Sequence, residues 1–199
     1  MMETRPQLLS RLARCRREQV VPGLFLESVL ASAGVYGPEV VEQAHRHIAE
    51  DGQLLENYRY PVKAMLEMLD VIGQAAQARG VSYGEALFQS GWTAGSSYVR
   101  SSVGRVRAMV STLSGMHRAL EGIPNAAAQA VNFGEHSYRR VTPGSGELRF
   151  IQDLIGPAWN TGMVLASVKT AFALEQDQLK YEISVTDEDA SSFLVRLDW

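Results

Sequence analysis

A chain of 199 residues with 46% hydrophobic, 21% charged and 8% aromatic side chains is ordinary globular material, long enough to bury about 70% of its unfolded surface without a metal or disulfide staple. A net charge of −3 argues against a general grip on phosphate, so no nucleic-acid partner is expected. One cysteine excludes an intramolecular disulfide, and no apolar run reaches the roughly 18 to 20 residues of a membrane span; a single cytoplasmic domain over residues 1–199 is expected.

The first two thirds read as helices. Leu8, Leu9, Leu12 and Cys15 mark one face of a short amphipathic helix, where Arg5, Arg11, Arg14, Arg16 and Arg17 face only Glu3 and Glu18 as opposition. These arginines are expected to form a solvated basic face, the other reading being contact with a membrane surface or anionic partner. Cys15 shares the stripe of Leu8 and Leu12, which predicts burial rather than reactivity. Gln7 to Val21 mixes short apolar pairs with arginines and lacks a signal-peptide core. Val20-Val21-Pro22-Gly23 then breaks the pattern, and a second apolar segment runs from Leu24 to Ala33 before Gly34 stops it.

Pro38 suits the first turn of a third helix, with Glu39 and Glu42 near its positive end and Gly52 after its last polar turn. His45 and His47 on that helix point about 200° apart and cannot hold one ion from one face. Glu42 and Arg46 form a helix-stabilising pair. Pro61 opens a fourth helix, whose stripe of Val62, Met65, Leu66, Leu69, Ile72 and Ala76 predicts core up to Gly80. Ser82 and Glu85 have capping-box spacing and begin a fifth. It carries Gly84, Gly91, Gly95, Ser96 and Ser97, small residues that let a neighbouring backbone approach. Val103 to Leu113 and His117 to Val131 continue in helical style, interrupted at Ser114-Gly115 and at Ile123-Pro124-Asn125.

The pattern then changes. Glu135 to Val141 and Glu147 to Ile151 flank Thr142-Pro143-Gly144-Ser145-Gly146, the composition of a tight reversal. A small-residue helix from Pro157 to Leu174 carries Met163, Val164, Val168 and Phe172. In the second hairpin, Leu179, Tyr181, Ile183 and Val185 alternate with polar residues, as do Phe193, Val195, Leu197 and Trp199, and one face should pack on helices. The fold class expected is α+β: a helical layer over about 5–131, packed on a four-stranded antiparallel sheet made of two hairpins joined by a helix over about 132–199.

Pro22-Gly23-Leu24-Phe25, the small-residue helix around Gly91 to Tyr98, Asn132-Phe133-Gly134, and the Gly162-containing helix with the closing strand Val195-Arg196-Leu197-Asp198-Trp199 carry a resemblance over nearly the whole chain. In their order and spacing the chain resembles a myxobacterial family of unknown function, about 200 residues long with many paralogues. It is distantly similar to haem-nitric-oxide-binding domains and to 4-vinyl-reductase-type domains, which implies a ligand-sensing or docking module. Haem domains of that type use a proximal histidine and a Tyr-x-Ser-x-Arg motif on the strand that follows. Here Tyr138-Arg139-Arg140 and Leu148-Arg149-Phe150 stand in the first hairpin, so the propionate clamp is missing. His117 is the histidine in roughly the right region, and a helical histidine satisfied by a neighbour is the expected reading. The 4-vinyl-reductase type often carries cysteines near its last strands, and none stands there in this chain.

No local catalytic signature appears: the string from Gly91 to Ser96 lies inside a helix, and Gly144-Ser145-Gly146 lacks the lysine of a phosphate loop. Asp187, Glu188 and Asp189 lack the spacing of a calcium loop and are expected to be solvated at a hairpin tip. Large aromatics beside small residues can wall a cavity, which makes Trp92, Gly95, Tyr98, His117, Phe133 and Trp159 the candidate ligand pocket, with core packing as the competing reading. No cofactor, no metal and no catalytic residue is expected. The leading expectation is a non-enzymatic signalling or scaffolding module that binds a protein partner or a small apolar ligand and self-associates as a homodimer. The alternatives are a haem or gas-sensing domain with rearranged ligands, and an enzyme with a dispersed active site.

Overall fold

A computed structural model describes residues 3–48, 54–56, 58–175 and 177–199. The helices follow the apolar periodicity: α1 (Arg5–Arg14), α2 (Gly23–Ala33), α3 (Pro38–His45), α4 (Val62–Gln77), α5 (Tyr83–Arg100), α6 (Ser102–Ser114) and α7 (Met116–Ala130). On α4 the predicted stripe is core, with Met65, Leu66, Leu69 and Ile72 fully buried. The stop proposed at Gly52 lies outside the described residues. Two short strands escape notice in the sequence, β1 (Val20–Pro22) and β2 (Arg59–Pro61), which pair antiparallel. Three residues apiece are too few for a period-2 pattern to show.

Strands β3 (Glu135–Thr142) and β4 (Ser145–Ile151) form the first hairpin, α8 (Pro157–Phe172) follows, and β5 (Lys180–Val185) and β6 (Phe193–Asp198) form the second. The sheet is antiparallel in the order β3-β4-β6-β5, so each hairpin contributes one central and one edge strand. This is the α+β arrangement expected. Its buried face carries Leu148, Phe150, Phe193, Val195 and Leu197, with Phe150 and Phe193 stacked 4.5 Å apart across the pair.

Three expectations are corrected. The helix over 116–130 is continuous through Pro124; a proline deletes one hydrogen bond, and the packing of α7 on β3 and the full burial of Leu120 hold the turns on either side in line. In β5, Tyr181 and Val185 are exposed, because an edge strand lies beyond the reach of most of the covering helices; Phe88 of α5 stacks on Tyr181. The acidic tip is not simply solvated: Asp187 accepts hydrogen bonds from the Ser191 hydroxyl and the Ser192 N–H, and Asp189 pairs with Arg14.

The expected basic face is solvated only in part: Arg14, Arg16 and Arg17 are exposed, while Arg11 is not. Arg5 forks onto Asp70, Arg14 reaches Asp189, and Arg11 is completely buried. Arg11 donates to the carbonyls of Leu154 (3.0 Å) and Asp189 (2.7 Å) and pairs with the buried carboxylate of Glu3. Glu3 in turn accepts from the Ala158 N–H at the start of α8, where the helix favours negative charge. Gly156, at φ +97°, makes this possible, since a Cβ there would overlap the Arg11 guanidinium. Beside it, Asp153 accepts from the N–H groups of Ile155 and Gly156 and from Asn160, and its other oxygen takes the proton of His136 Nε2 at 2.9 Å. The arginines of α1 thus clamp the N-terminal segment to the β4–α8 turn and the last hairpin.

Candidate functional site

The small residues of α5 meet α8 backbone to backbone. A Cβ on Gly91 would overlap the Trp159 carbonyl, one on Gly95 the Met163 carbonyl, and one on Gly162 the Phe88 carbonyl. The Gly91–Trp159 contact recurs four residues on in both helices as Gly95–Met163, so α5 and α8 run side by side in the same direction. Trp159 is fully buried with its ring against Phe25 at 4.8 Å. The hydroxyls of Ser90 and Thr161 and the Trp159 indole N–H are buried without a partner among the described residues.

Past this contact the helices part. Ser101 caps α6, its hydroxyl accepting from the Gly104 N–H, and α6 swings away from α5. Between α5, α6, α7 and α8 lies a cleft of about 390 Å³. Tyr98 and Val99 wall it from α5, Val106 and Val110 from α6, Ala119, Gly122, Ile123 and Ala126 from α7, and Val168, Ala171 and Phe172 from α8. Its polar groups are neutral: Asn125, Gln129 and Ser167 beside Tyr98. Helix α6 covers the cleft thinly, with Val106 66%, Val110 60%, Met109 65% and Leu113 86% exposed. A second hollow, about 570 Å³, opens beside Met116, Lys180, Asp198 and Trp199 and is rimmed by charges.

Of the six residues singled out from the sequence, Tyr98 lines the cleft. Gly95 and Trp159 build the helix contact, Phe133 is core, and Trp92 is half-buried with Lys169 over its ring at 5.9 Å. His117 faces the first hairpin. Its Nε2 meets the Pro143 carbonyl at 3.0 Å and its Nδ1 meets the Tyr138 hydroxyl, while its ring stands edge-on to Trp199. A carbonyl can only accept, so Nε2 carries the proton and Nδ1 accepts from Tyr138. Both nitrogens are thereby engaged. What the sequence reading missed is the α6 and α7 walls. The signal was present in the spacing Val106, Met109, Val110, Leu113 and in Ala119, Gly122, Ile123, Ala126, each the one-sided stripe of a helix.

Elsewhere the chemistry is quiet. No group of three or more metal-ligating side chains occurs among the described residues. Burial pushes the Cys15 thiol up to about 11, which keeps it protonated at neutral pH. His47 lies 3.3 Å from Glu67, and Glu42 and Arg46 form the expected exposed pair. No helix of the described residues is long and apolar enough to cross a membrane.

A family model described as a protein of unknown function, DUF2378, matches residues 14–199. No curated protein matches the sequence. Solved structures with the same fold are H-NOX proteins. A mutant of the Fe(II) unliganded H-NOX protein from K. algicida is 14% identical with a TM-score of 0.67, covering 89% of this chain and 95% of that one. An H-NOX protein mutant from S. oneidensis in the Fe(II) ligation state is 11% identical, with a TM-score of 0.66 and coverage of 89% and 95%. A mutant of T. tengcongensis H-NOX is 13% identical, with a TM-score of 0.62 and coverage of 89% and 96%. At these identities the likeness is one of fold.

Proposed function

This chain belongs to the DUF2378 family, whose function is unknown, and we propose that it is a non-enzymatic sensor domain that holds a small ligand in the cleft between α5, α6, α7 and α8. The comparisons favour the haem or gas-sensing reading over docking and self-association: the neighbours are H-NOX proteins, some of them in an Fe(II) state. Neither fold nor comparisons lend support to a homodimer or a protein partner.

The residues decide how much of the H-NOX chemistry carries over. The α7 residues turned to the cleft are Ala119, Gly122, Ile123, Asn125, Ala126 and Gln129, with no histidine, cysteine, methionine or tyrosine to ligate iron. His117 lies on the other side with both nitrogens committed to the hairpin. Among the described residues of the cleft wall there is no lysine or arginine to meet propionates. Haem ligated through His117 does not fit this donor set, so the sensing role is kept and haem is not.

The observation that carries the reading is the position of α7. One of its faces walls the cleft, and the other packs on β3, where His117 ties it to Tyr138 and Pro143. A ligand that shifts α7 therefore displaces the edge of the sheet, and two packed layers transmit such a shift as a discrete rearrangement. Protein purified from haem-supplemented cells should be colourless, with no Soret band, before and after His117→Ala. A Soret band abolished by that substitution would restore the haem reading and sink this one.

A further inference from the structure

We propose that the cleft takes an uncharged, predominantly apolar molecule and that α6 closes over it. This deepens the sensor reading above and rests on it.

The wall chemistry selects the ligand class. Val99, Ile123, Val168 and Phe172 supply aliphatic and aromatic surface, and among the described residues the wall holds no Asp, Glu, Lys or Arg. A charged ligand drawn between these helices would shed its hydration against a wall whose described residues offer no counter-charge to replace it. A neutral molecule escapes that cost. The Asn125 amide and the Ser167 hydroxyl at the cleft match a carbonyl or hydroxyl on the guest and not an ionised group. The volume, about 390 Å³, lies at the lower end of the range for small-molecule sites.

The second part follows from a mismatch on α6. Val106 and Val110 line the cleft, yet they are 66% and 60% exposed. A helix that walls an apolar cleft normally buries that face. Here it can gain burial by moving inward on a guest that supplies apolar surface. At its C-terminal end the chain turns at Gly115, which lies at φ +84° with open space where a Cβ would stand.

The test uses the full chain and N-phenyl-1-naphthylamine, an uncharged dye that brightens in apolar surroundings. Saturable binding at one dye per chain is expected. Gly122→Phe, placed where a Cβ meets open space, should weaken it by about tenfold or more with an unchanged circular dichroism spectrum. Ala126→Phe serves as a second filler should that variant misfold. Val110→Asp should weaken binding as well, because a lid cannot close with a carboxylate on its inner face. Dye binding untouched by either filler, or removed only by Leu113→Glu, would put the dye on the outside of α6 and overturn the proposal. Hemin, a dicarboxylate, separates the two levels of inference. If it binds, is blocked by Gly122→Phe and the dye does not bind, the uncharged class is wrong and the cleft remains a ligand site. If neither molecule binds, the cleft reading itself falls.

Discussion

Arg11 shows how far a residue's role can lie from its type. On a helical wheel it stands three residues after Leu8 and four before Cys15, beside the apolar stripe, while its type and the cluster of five arginines point to a solvated basic face. In the folded chain Arg11 is fully buried against Glu3 and the carbonyls of Leu154, Ile155 and Asp189. Its partners are distant in sequence, and no local pattern announces them. Replacing it with Met should therefore cost about 3–5 kcal/mol in urea unfolding, much of it the penalty for a carboxylate left alone in the interior. Adding Glu3→Leu to Arg11→Met should recover part of that loss, since the stranded charge goes too. A single variant no less stable than the parent would show that the pair contributes nothing. His117 is the contrasting case: a helical histidine satisfied by a neighbour is the expected reading, and Tyr138 and Pro143 make it a clasp between α7 and the first hairpin.

Among the elements, the pair α5 and α8 illustrates what composition can convey. The run of Gly91, Gly95, Ser96 and Ser97 implied close approach, and the backbones do touch, with Gly91 against Trp159 and Gly162 against Phe88. Glycine inside a helix ordinarily costs roughly 0.5–1 kcal/mol relative to alanine. Gly91→Ala should nonetheless destabilise by about 1–3 kcal/mol, because the new methyl collides with backbone that cannot yield. Gly122→Ala, where the space is open, should instead gain the helix-propensity difference; the two midpoints in urea, measured together, decide whether contact or propensity governs. Long one-sided helices such as α4 and the alternating strands β4 and β6 were plain in the sequence for the same reason: their period repeats several times. The β1–β2 pair, the unbroken α7 and the exposure of β5 were not, since three-residue strands carry no period, a proline signals a break whatever packs around it, and alternation does not say which strand lies at an edge. The candidate site was the least legible part. Its walls come from four helices, and only Tyr98 was marked beforehand, because small apolar residues facing a hollow look the same in sequence as small apolar residues facing a neighbour.

Taken whole, the molecule joins the first segment of the chain to the last. The clamp spans 178 positions between Arg11 and the Asp189 carbonyl, and 143 between Arg11 and that of Leu154. A ribosome adding about 5–20 residues per second needs roughly 10–35 s to cover the longer interval. For that time α1 is an amphipathic segment with a cation and a carboxylate that have no settled place, while α4 and α5 can already form their core. Chains ending at residue 175 should thus show cleavage by trypsin within residues 5–14 that the full chain resists. Completion of the second hairpin is then what silences α1, and that segment stays open to chaperones until β5 and β6 emerge.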